Sequence, residues 1–365
     1  MGNTKIEWAE KTWNPITGCT KISPGCANCY AERMSKRLVG RCGYDKDNPF
    51  QVTLHVDRLD EPLKWRKPQM VFVCSMGDLF HGDVPDDWID QVFGAILGCK
   101  IFNNVPDHTF LILTKRPERM REYLGTRTPE ELLRAWANAC PCYTDDPNVS
   151  VEDLVYSETC YDWDEHGRNS NGSEYKPWGY IQRLFPLSNV WLGVTAENQE
   201  KANERIPILL QIPAAKRFVS VEPMLGSVDL ESLELGPNGY GLTFLLNALT
   251  GWAHGNIEKS GKPKVHRNDQ FGRLDWVICG GETGPGARPM HPDWARSLRD
   301  QCVSAGVPFF FKQQGEWGYT PYGNRKGMNP YESIRLNGDL LFRCGKKFAG
   351  RNLDGREWNE RPEVE

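Results

Sequence analysis

Short, wholly apolar runs recur along the chain, each followed by turn residues and a longer segment of mixed composition. This alternation is typical of repeated strand and helix units around a parallel sheet. The runs VFVC (71–74), FLIL (110–113) and WVIC (276–279) have no alternating polar positions, as expected of strands covered on both faces. The pattern predicts an α/β protein, and its repetition favours a full or partial (β/α) barrel.

The candidate elements can be placed along the chain. Predicted strands lie near residues 14–20, 51–56, 70–75, 109–114, 190–195, 217–221, 276–279 and 308–312. Predicted helices cover residues 26–38, 86–97, 117–124, 197–210 and 292–305. We expect one barrel domain over residues 1–314, with long insertions at about 126–188 and 231–273 and a C-terminal extension, 315–365, packed on the barrel.

Composition limits the class of protein. The 365 residues are 39% hydrophobic and 25% charged, which suits a globular protein with a sizeable core. The net charge of −4 argues against a protein that coats nucleic acid, but it leaves room for a local basic groove. Twelve cysteines in a chain of this length indicate a reducing compartment rather than a disulfide framework. With no apolar run near the ~18 residues of a membrane span and no signal peptide, we expect no membrane association and a cytoplasmic location.

Three cysteines lie together in GCTKISPGCANCY (18–30) with the spacing C-x6-C-x2-C: Cys19, Cys26 and Cys29. Pro24 and Gly25 allow the loop to curl so that the three sulfur atoms converge. Three thiolates can hold a 4Fe-4S cluster and leave one iron without a protein ligand. S-adenosylmethionine (SAM) carries an amine and a carboxylate that would chelate this iron. The alternatives are a zinc site completed by a distant residue such as His81, or three unrelated thiols.

Further motifs accompany the cysteine segment, which itself extends over WNPITGCTKISPGCANCYAERM (13–34). They are SMGDLFH (75–81), LTKRP (113–117), GVTAEN (193–198), VEPML (221–225), GGETGPGARPMHPDW (280–294) and GKKFAGRNLDGREW (345–358). Together these motifs resemble a phage and bacterial family marked by a three-cysteine motif and related to the radical SAM superfamily, which includes spore photoproduct lyase. The stretch between the first two cysteines is three residues longer than in the C-x3-C-x2-C motif that is usual in radical SAM enzymes. The resemblance implies a barrel of radical SAM type, a 4Fe-4S cluster and SAM.

Candidate cofactor-binding residues follow the predicted strands, where (β/α) barrels carry their chemistry. In radical SAM enzymes a Gly-Gly-Glu-like element contacts the methionyl amine of SAM, and here Met76, Gly77 and Asp78 resemble it in position. Ser75, Gly77 and Asp78 are therefore candidate cofactor-binding residues. An alternative is that Asp78 caps the following turn. The other candidates are Lys115, Glu197 and Glu222, and for the two glutamates buried ion pairs are an equally open interpretation.

Candidate substrate-binding residues come from the late glycine-rich segment and the last predicted strand: Gly281, Glu282, Arg288 and Gln313. Arg288 carries a fixed positive charge suited to a carboxylate or a phosphate, although a purely structural loop is the alternative. Cys74 and Cys279, at the ends of predicted strands, are candidate hydrogen donors to a substrate radical. For these two thiols, packing in the core is the alternative.

Basic and aromatic residues near the predicted barrel mouth favour a nucleic-acid partner. They are Lys115, Arg116, Lys346, Lys347, Arg351, Arg356, Trp163, Trp178, Tyr180, Trp317, Tyr319 and Tyr322. Such residues bind phosphates and stack on bases, but solvated charges and packed rings are the ordinary alternative.

With the resemblance, these observations favour a radical SAM enzyme that acts on a modified DNA base. The base would have to flip out of the double helix to reach the barrel mouth. One such reaction is the isomerisation of an amino-acid-modified thymidine in phage DNA, with flavodoxin or ferredoxin as the electron donor. Two other classes stay open. One is a non-enzymatic zinc- or cluster-binding phage protein that contacts nucleic acid or a host protein, and the other is a radical SAM enzyme that acts on a peptide or a small metabolite.

Overall fold

The computed structural model describes residues 4, 6–102, 105–141, 184–237, 243–255, 271–318 and 332–364. The strands in chain order are β1 (Lys11–Trp13), β2 (Ile16–Thr17), β3 (Thr53–Leu54), β4 (Met70–Val73), β5 (Thr109–Thr114), β6 (Val190–Thr195), β7 (Lys216–Val221), β8 (Leu233–Pro237), β9 (Thr243–Asn247), β10 (Trp252–Gly255), β11 (Trp276–Gly280), β12 (Phe309–Gln313), β13 (Trp317–Gly318), β14 (Ser333–Leu336), β15 (Asp339–Arg343), β16 (Asn352–Leu353) and β17 (Arg356–Glu357). The helices are α1 (Tyr30–Ser35), α2 (Asp86–Ile101), α3 (Pro117–Gly125), α4 (Pro129–Asn138), α5 (Gln199–Leu209), α6 (Pro292–Ala305) and α7 (Lys346–Ala349). No helix in these ranges is both long and apolar enough to cross a membrane.

One parallel sheet organises the fold, with the strand order β1-β4-β5-β6-β7-β11-β12. Within this sheet each strand therefore pairs with the sheet strand that comes before it along the chain, and α2, α5 and α6 connect neighbouring strands. A parallel sheet that adds every strand at the same edge curls, because of its twist, into part of a barrel. In the described ranges β1 and β12 do not pair with each other, so the sheet forms a partial (β/α) barrel, as the sequence predicts.

The two faces of this sheet carry separate hydrophobic clusters. The outer face packs against the helices. The inner face is filled by an aromatic cluster near the amino ends of the strands, with Trp8 from the N-terminal segment, Phe72, Trp191, Phe218, Trp276 and Phe310. The fully buried ring of Trp276 lies 6.0–6.4 Å, centroid to centroid, from four of these rings. These rings close the amino end of the half-barrel and leave its polar inner residues near the carboxyl ends.

The first two predicted strands differ from the structure. Residues 14–20 and 51–56 contain β2 and β3, which pair with each other in a separate antiparallel sheet. The strand that opens the main sheet is β1, which ends before Asn14 and pairs with β4. Gly18, whose φ of +86° is outside the extended region, turns the chain away from the strand direction immediately before Cys19. The prediction was wrong here because a turn interrupts the β-rich residues.

The other six predicted strands are confirmed, as are four of the five helices. The helix predicted at 292–305 is α6, which ends at Gly306 in the left-handed conformation. The helix predicted at 26–38 is shorter, because a 3-10 turn at Pro24–Cys26 precedes α1. Cys26 and Cys29 therefore lie in a tight turn and at a helix N-cap rather than on one continuous helix.

Both insertions and the C-terminal extension contain structure of their own. The first insertion begins with α4, whose Trp136 stacks on Phe93 of α2, and residues 142–183 lie outside the described ranges. The second insertion carries the antiparallel sheet β10-β9-β8. In the C-terminal extension, Asn359 forms a β-bridge with Phe310, and the N–H of Phe311 donates to the carbonyl of Trp358. The extension thus covers the free edge of β12.

Replacing Trp276 with alanine should remove the centre of the inner aromatic cluster. Because the side chain is fully buried, we expect the free energy of unfolding to fall by about 3–5 kcal/mol. Trp252 on β10 is 55% exposed, so the same change there should cost less than about 1 kcal/mol. Urea unfolding followed by circular dichroism measures both losses, and equal losses would contradict the structural role given to Trp276.

Candidate functional site

The segment that carries the three cysteines, residues 18–30 and named the cysteine loop from here on, lies over the carboxyl ends of the sheet strands. Cys19 follows β2, Cys26 ends the 3-10 turn, and Cys29 is the N-cap residue of α1, where its side chain makes no capping hydrogen bond. All three thiols are free and partly buried. The residues that contact this loop come from the segments after β4, β5, β6 and β11.

The three sulfur atoms are not arranged for a single metal ion. Among the described residues, the three Sγ atoms do not form a group with all members within 4.8 Å of one another. Thiolates around one tetrahedral Zn²⁺ lie about 3.8 Å apart, given a Zn–S distance of about 2.3 Å. His81, the proposed fourth zinc ligand, accepts a hydrogen bond from the N–H of Asp83 and lies 2.8 Å from Thr20 Oγ1. As placed, the three thiols and His81 do not form one tetrahedral zinc site, whereas each thiolate of a 4Fe-4S cluster would bind a different iron.

A second polar group is formed by His291, Asp293 and Asp339, each of which offers one side-chain nitrogen or oxygen atom, and these atoms lie within 4.8 Å of one another. This group is a helix cap. His291 Nδ1 accepts a hydrogen bond from the N–H of Asp293 at the start of α6, and Nε2 lies 3.0 Å from Asp339 Oδ2. Both ring nitrogens are thus engaged within the protein, and this group lies outside the cysteine loop.

Glu197, predicted to bind a cofactor, contacts the cysteine loop. Its buried carboxylate accepts from the N–H of Gly25 at 3.0 Å and from Nη1 of Arg205 at 3.1 Å. Burial raises the pKa of Glu197, but a hydrogen bond from Ser23 and the charge of Arg205 outweigh it, so that this pKa lies below its ordinary value. The ionised carboxylate therefore holds the turn that carries Cys26, in agreement with the buried ion-pair alternative.

Glu282 and Arg288, predicted to bind substrate, form a bidentate ion pair. Arg288 Nε and Nη2 donate to the two carboxylate oxygens of Glu282 at 2.8 and 2.6 Å. Arg288 also donates to the carbonyl of Pro24, and the amide of Asn28 donates to Glu282 at 3.0 Å. The segment after β11 thus holds the cysteine loop on both sides of Cys26. The guanidinium of Arg288 is thus already bound to Glu282, which makes it less suited to bind a substrate carboxylate.

Asp78 reaches the cysteine loop through an arginine. One carboxylate oxygen of this buried side chain accepts from the hydroxyl of Thr114 at 2.7 Å and from the N–H of Phe80 at 3.0 Å. The other oxygen accepts from Nη1 of Arg116 at 2.9 Å. The same nitrogen of Arg116 lies 3.3 Å from the sulfur of Cys19. Asp78 therefore caps the following turn, as in the alternative interpretation, and orients a cation beside a thiol.

Ser75 and Gly77 belong to the same segment after β4. The hydroxyl of Ser75 donates to the side-chain oxygen of Asn14 at 3.1 Å. Gly77 bridges to Gly18, and a Cβ at position 77 would lie 3.0 Å from the carbonyl oxygen of Gly18. These contacts support the backbone that leads into Cys19.

An ion pair lies on the inner face of the half-barrel, at the carboxyl ends of the strands. Nζ of Lys312 is 2.7 Å from Oε1 of Glu222, and both side chains are partly buried. The pair crosses β11 above Gly280, where a Cβ would lie 3.3 Å from Cβ of Lys312 and 3.5 Å from the carboxylate of Glu222. Gln313, predicted to bind substrate, lies on the opposite face, where its amide donates to the carbonyl of Gly281. The alternation of FFFKQ, with Phe310 facing inward, could have identified Lys312.

Two cations affect the cysteine thiols differently. Burial raises the pKa of Cys26, but the charge of Lys115 and hydrogen bonds with Ser23 outweigh it, so that the pKa of this thiol lies below its ordinary value. Burial and the charge of Asp78 raise the pKa of Cys19, although Arg116 opposes them. Lys115, predicted to bind the cofactor, therefore lies close enough to favour the thiolate of Cys26.

Cys74 and Cys279, predicted as hydrogen donors, are fully buried in the outer, helix-facing cluster. The sulfur of Cys279 lies 3.6 Å from that of Met224, and burial raises the pKa of both thiols. These positions match the alternative of packed core thiols. Nine cysteines in the described ranges are free, whereas Cys140 is disulfide-bonded, which differs from the expectation of reduced cysteines at that position.

The nucleic-acid candidates divide into several groups. Trp163, Trp178, Tyr180, Tyr319 and Tyr322 lie outside the described residues. Trp317 is buried, and its indole N–H donates to the carbonyl of Ala287. Lys346 pairs with Glu7, and the guanidinium of Arg356 lies 3.3 Å from the ring centroid of Trp358. Trp317, Lys346 and Arg356 therefore make contacts within the protein, in agreement with the alternative of packed rings and paired charges.

The adjacent glycines of the GGE triplet should respond differently to alanine. A Cβ at Gly281 would lie 2.0 Å from the carbonyl oxygen of Gln314, so the backbone must shift, and we expect Gly281→Ala to lower the free energy of unfolding by about 1–3 kcal/mol. At Gly280 the nearest atoms belong to side chains 3.3 Å or more away, so Gly280→Ala should cost less than about 1 kcal/mol. Chemical denaturation compares the two variants, and a larger loss for Gly280→Ala would contradict this packing.

Comparison with known proteins gives one family. No curated protein and no solved structure matches the chain significantly. A family model described as "Protein of unknown function (DUF5131)" matches residues 3–362. This match includes the cysteine loop, every strand of the parallel sheet and the C-terminal extension. The chain therefore belongs to the DUF5131 family.

Proposed function

We propose that this protein is a radical SAM enzyme in which a 4Fe-4S cluster is held by Cys19, Cys26 and Cys29. The proposal is carried by one observation: three free, partly exposed thiols lie in one loop over the carboxyl edge of a parallel half-barrel. This edge is where (β/α) barrels bind substrates and carry out chemistry. When bound, the cluster and SAM would supply a 5′-deoxyadenosyl radical that abstracts hydrogen from the substrate.

The surroundings of the three thiols differ from those of the other cysteines described above. Cys74, Cys99, Cys279 and Cys302 are buried among apolar side chains, and burial raises the pKa of each. Of the loop thiols, Cys19 has Arg116 beside it, which opposes the rise in pKa caused by burial and Asp78, and Cys26 has Lys115 nearby, whose charge helps to lower the pKa of this thiol. Cationic, partly exposed surroundings favour thiolates, which are the form that binds iron. The donor set therefore fits a cluster held by three thiolates.

Three carboxylates fix the shape of this loop. Glu197 binds the backbone of the turn, Glu282 binds Asn28, and Asp78 acts through Arg116. Each carboxylate follows a different strand of the sheet, so the loop is attached to the most rigid part of the fold. Such support keeps ligands in place when no fourth protein ligand closes the site.

The substrate would lie between the cysteine loop and the inner aromatic cluster. There Glu222 and Lys312 offer one negative and one positive group, which complements the ammonium and the carboxylate of an amino-acid group. A substrate would exchange the Lys312–Glu222 contact for its own charged groups, and Lys312, with one carboxylate contact, would do so more readily than Arg288, which donates two side-chain hydrogen bonds to Glu282. An amino-acid-modified thymidine in DNA would provide this group together with an abstractable hydrogen, and flavodoxin or ferredoxin would provide the electron.

Iron content and SAM cleavage test the cluster assignment. After anaerobic purification and reconstitution, the wild-type protein should hold about four irons and form 5′-deoxyadenosine from SAM once reduced. We expect Cys26→Ala to lose most of the iron and at least 90% of the cleavage, because a cluster ligand is missing. Cys42→Ala is the matched control, since Cys42 is free and exposed outside the loop, and it should behave like wild type. Retention of iron and cleavage by Cys26→Ala would contradict the proposal.

Dependence on the substrate tests the reaction class. With SAM and reductant, 5′-deoxyadenosine formation should rise at least tenfold with DNA that contains an amino-acid-modified thymidine, and not with unmodified DNA or with peptides. Lys312→Ala should weaken this stimulation by about tenfold or more, because one charge-assisted contact is lost. Lys64→Ala, a lysine whose side chain is 66% exposed and pairs with Asp60, should leave it unchanged. Stimulation by a peptide or a small metabolite instead would reject the DNA substrate while leaving the cluster assignment in place.

A further inference from the structure

We infer that Arg116 is a positioning residue that sets the reduction potential of the site by donating a hydrogen bond to the sulfur of Cys19. This inference rests on the proposed cluster. It is carried by a direct contact, since Nη1 of Arg116 lies 3.3 Å from Sγ of Cys19. The arginine is the N-cap residue of α3, and its side chain is only 13% exposed.

The guanidinium is fixed by contacts on both of its terminal nitrogens. Nη1 also donates to Oδ2 of Asp78 at 2.9 Å. Nη2 donates to the carbonyl and to the hydroxyl of Thr20 at 3.1 and 3.0 Å. A planar group with this number of donors can hold a carboxylate, a thiol and a peptide at once, which an ammonium group cannot do with the same geometry.

Thr20 provides a second anchor beside the cysteine. Its hydroxyl lies 2.8 Å from Nε2 of His81, and Nδ1 of that ring accepts the N–H of Asp83, so Nε2 carries the proton and donates to Thr20. Arg116 and His81 therefore hold the residue that follows Cys19. Of the six residues between Cys19 and Cys26, the first is thus fixed to the barrel edge, and the loop can be long without moving Cys19.

The three thiols are not equivalent in these contacts. Within the described residues, Cys19 has a cationic hydrogen-bond donor on its sulfur, whereas Cys26 has the hydroxyl of Ser23 at 3.7 Å and Lys115 as a nearby charge. Reduction adds an electron to a cluster that is already negative. A charge-assisted N–H···S bond stabilises the reduced form more than the oxidised form, and it therefore raises the reduction potential.

The test compares the midpoint potential and the electron paramagnetic resonance spectrum of the reconstituted cluster in wild type and three variants. Arg116→Gln should shift the potential to a more negative value and change the g-values, with iron content close to wild type. Arg116→Lys, which keeps the charge and loses the planar fork, should give a smaller shift in the same direction. Thr20→Val removes a hydroxyl contact and leaves the sulfur contact, so it should shift the potential less than Arg116→Gln.

The outcomes separate this inference from the function on which it rests. An Arg116→Gln cluster with wild-type potential and spectrum would overturn the redox role while leaving the proposed function intact. Loss of iron from both Arg116 variants, with circular dichroism unchanged, would also overturn it, because Arg116 would then act only in assembling the site. A wild-type protein that binds no iron would overturn the proposed function and this inference together.

Discussion

The cysteine loop keeps its place because carboxylates at the carboxyl ends of the strands bind it. The Glu197–Arg205 pair shows the strength of this constraint, since both side chains are at most 1% exposed and the carboxylate also accepts the N–H of Gly25. Removing one partner of a buried ion pair typically costs about 3–5 kcal/mol, because the remaining charge has no compensation. The thiols are thus positioned by the sheet itself, and not only by the local turn.

The two ends of the half-barrel carry different kinds of inward-facing residues. At the amino end, the aromatic cluster around Trp276 fills the space between the strands. At the carboxyl end, the inward positions change to Glu222 and Lys312, and the cysteine loop lies above them. The same inward positions of β7 and β12 therefore carry apolar rings at one end and charges at the other.

Much of the fold could be predicted from the sequence, because strands buried on both faces leave continuous apolar runs. This pattern identified six strands of the main sheet, and glycine and proline marked the ends of α6. The strand β1 was missed because KTW is short and lacks such a run. The motif around Gly18 was taken as a strand, because its positive φ is set by contacts with Gln51 and Met76 that are distant in sequence.

The residues of the candidate site could be predicted from the sequence, whereas the side chains that they contact could not. Cysteine spacing identified the loop, and positions after strands identified Asp78, Glu197 and Glu282. Their partners depend on tertiary packing, so a sequence gives no signal that Arg205 meets Glu197 or that Arg116 meets Cys19. This is why the sequence could not show that Asp78, Glu197 and Glu282, predicted to bind SAM or substrate, contact the cysteine loop directly or through Arg116.

The central claim is that the loop holds a cluster with one iron available to SAM, and the reduced wild-type protein tests it most directly. Its electron paramagnetic resonance spectrum should be recorded under anaerobic conditions with and without SAM. We expect the signal of a reduced 4Fe-4S cluster whose g-values change when SAM is added, because SAM binds the iron that no cysteine holds. A protein without a cluster signal, or a cluster signal that SAM does not alter, would contradict the claim.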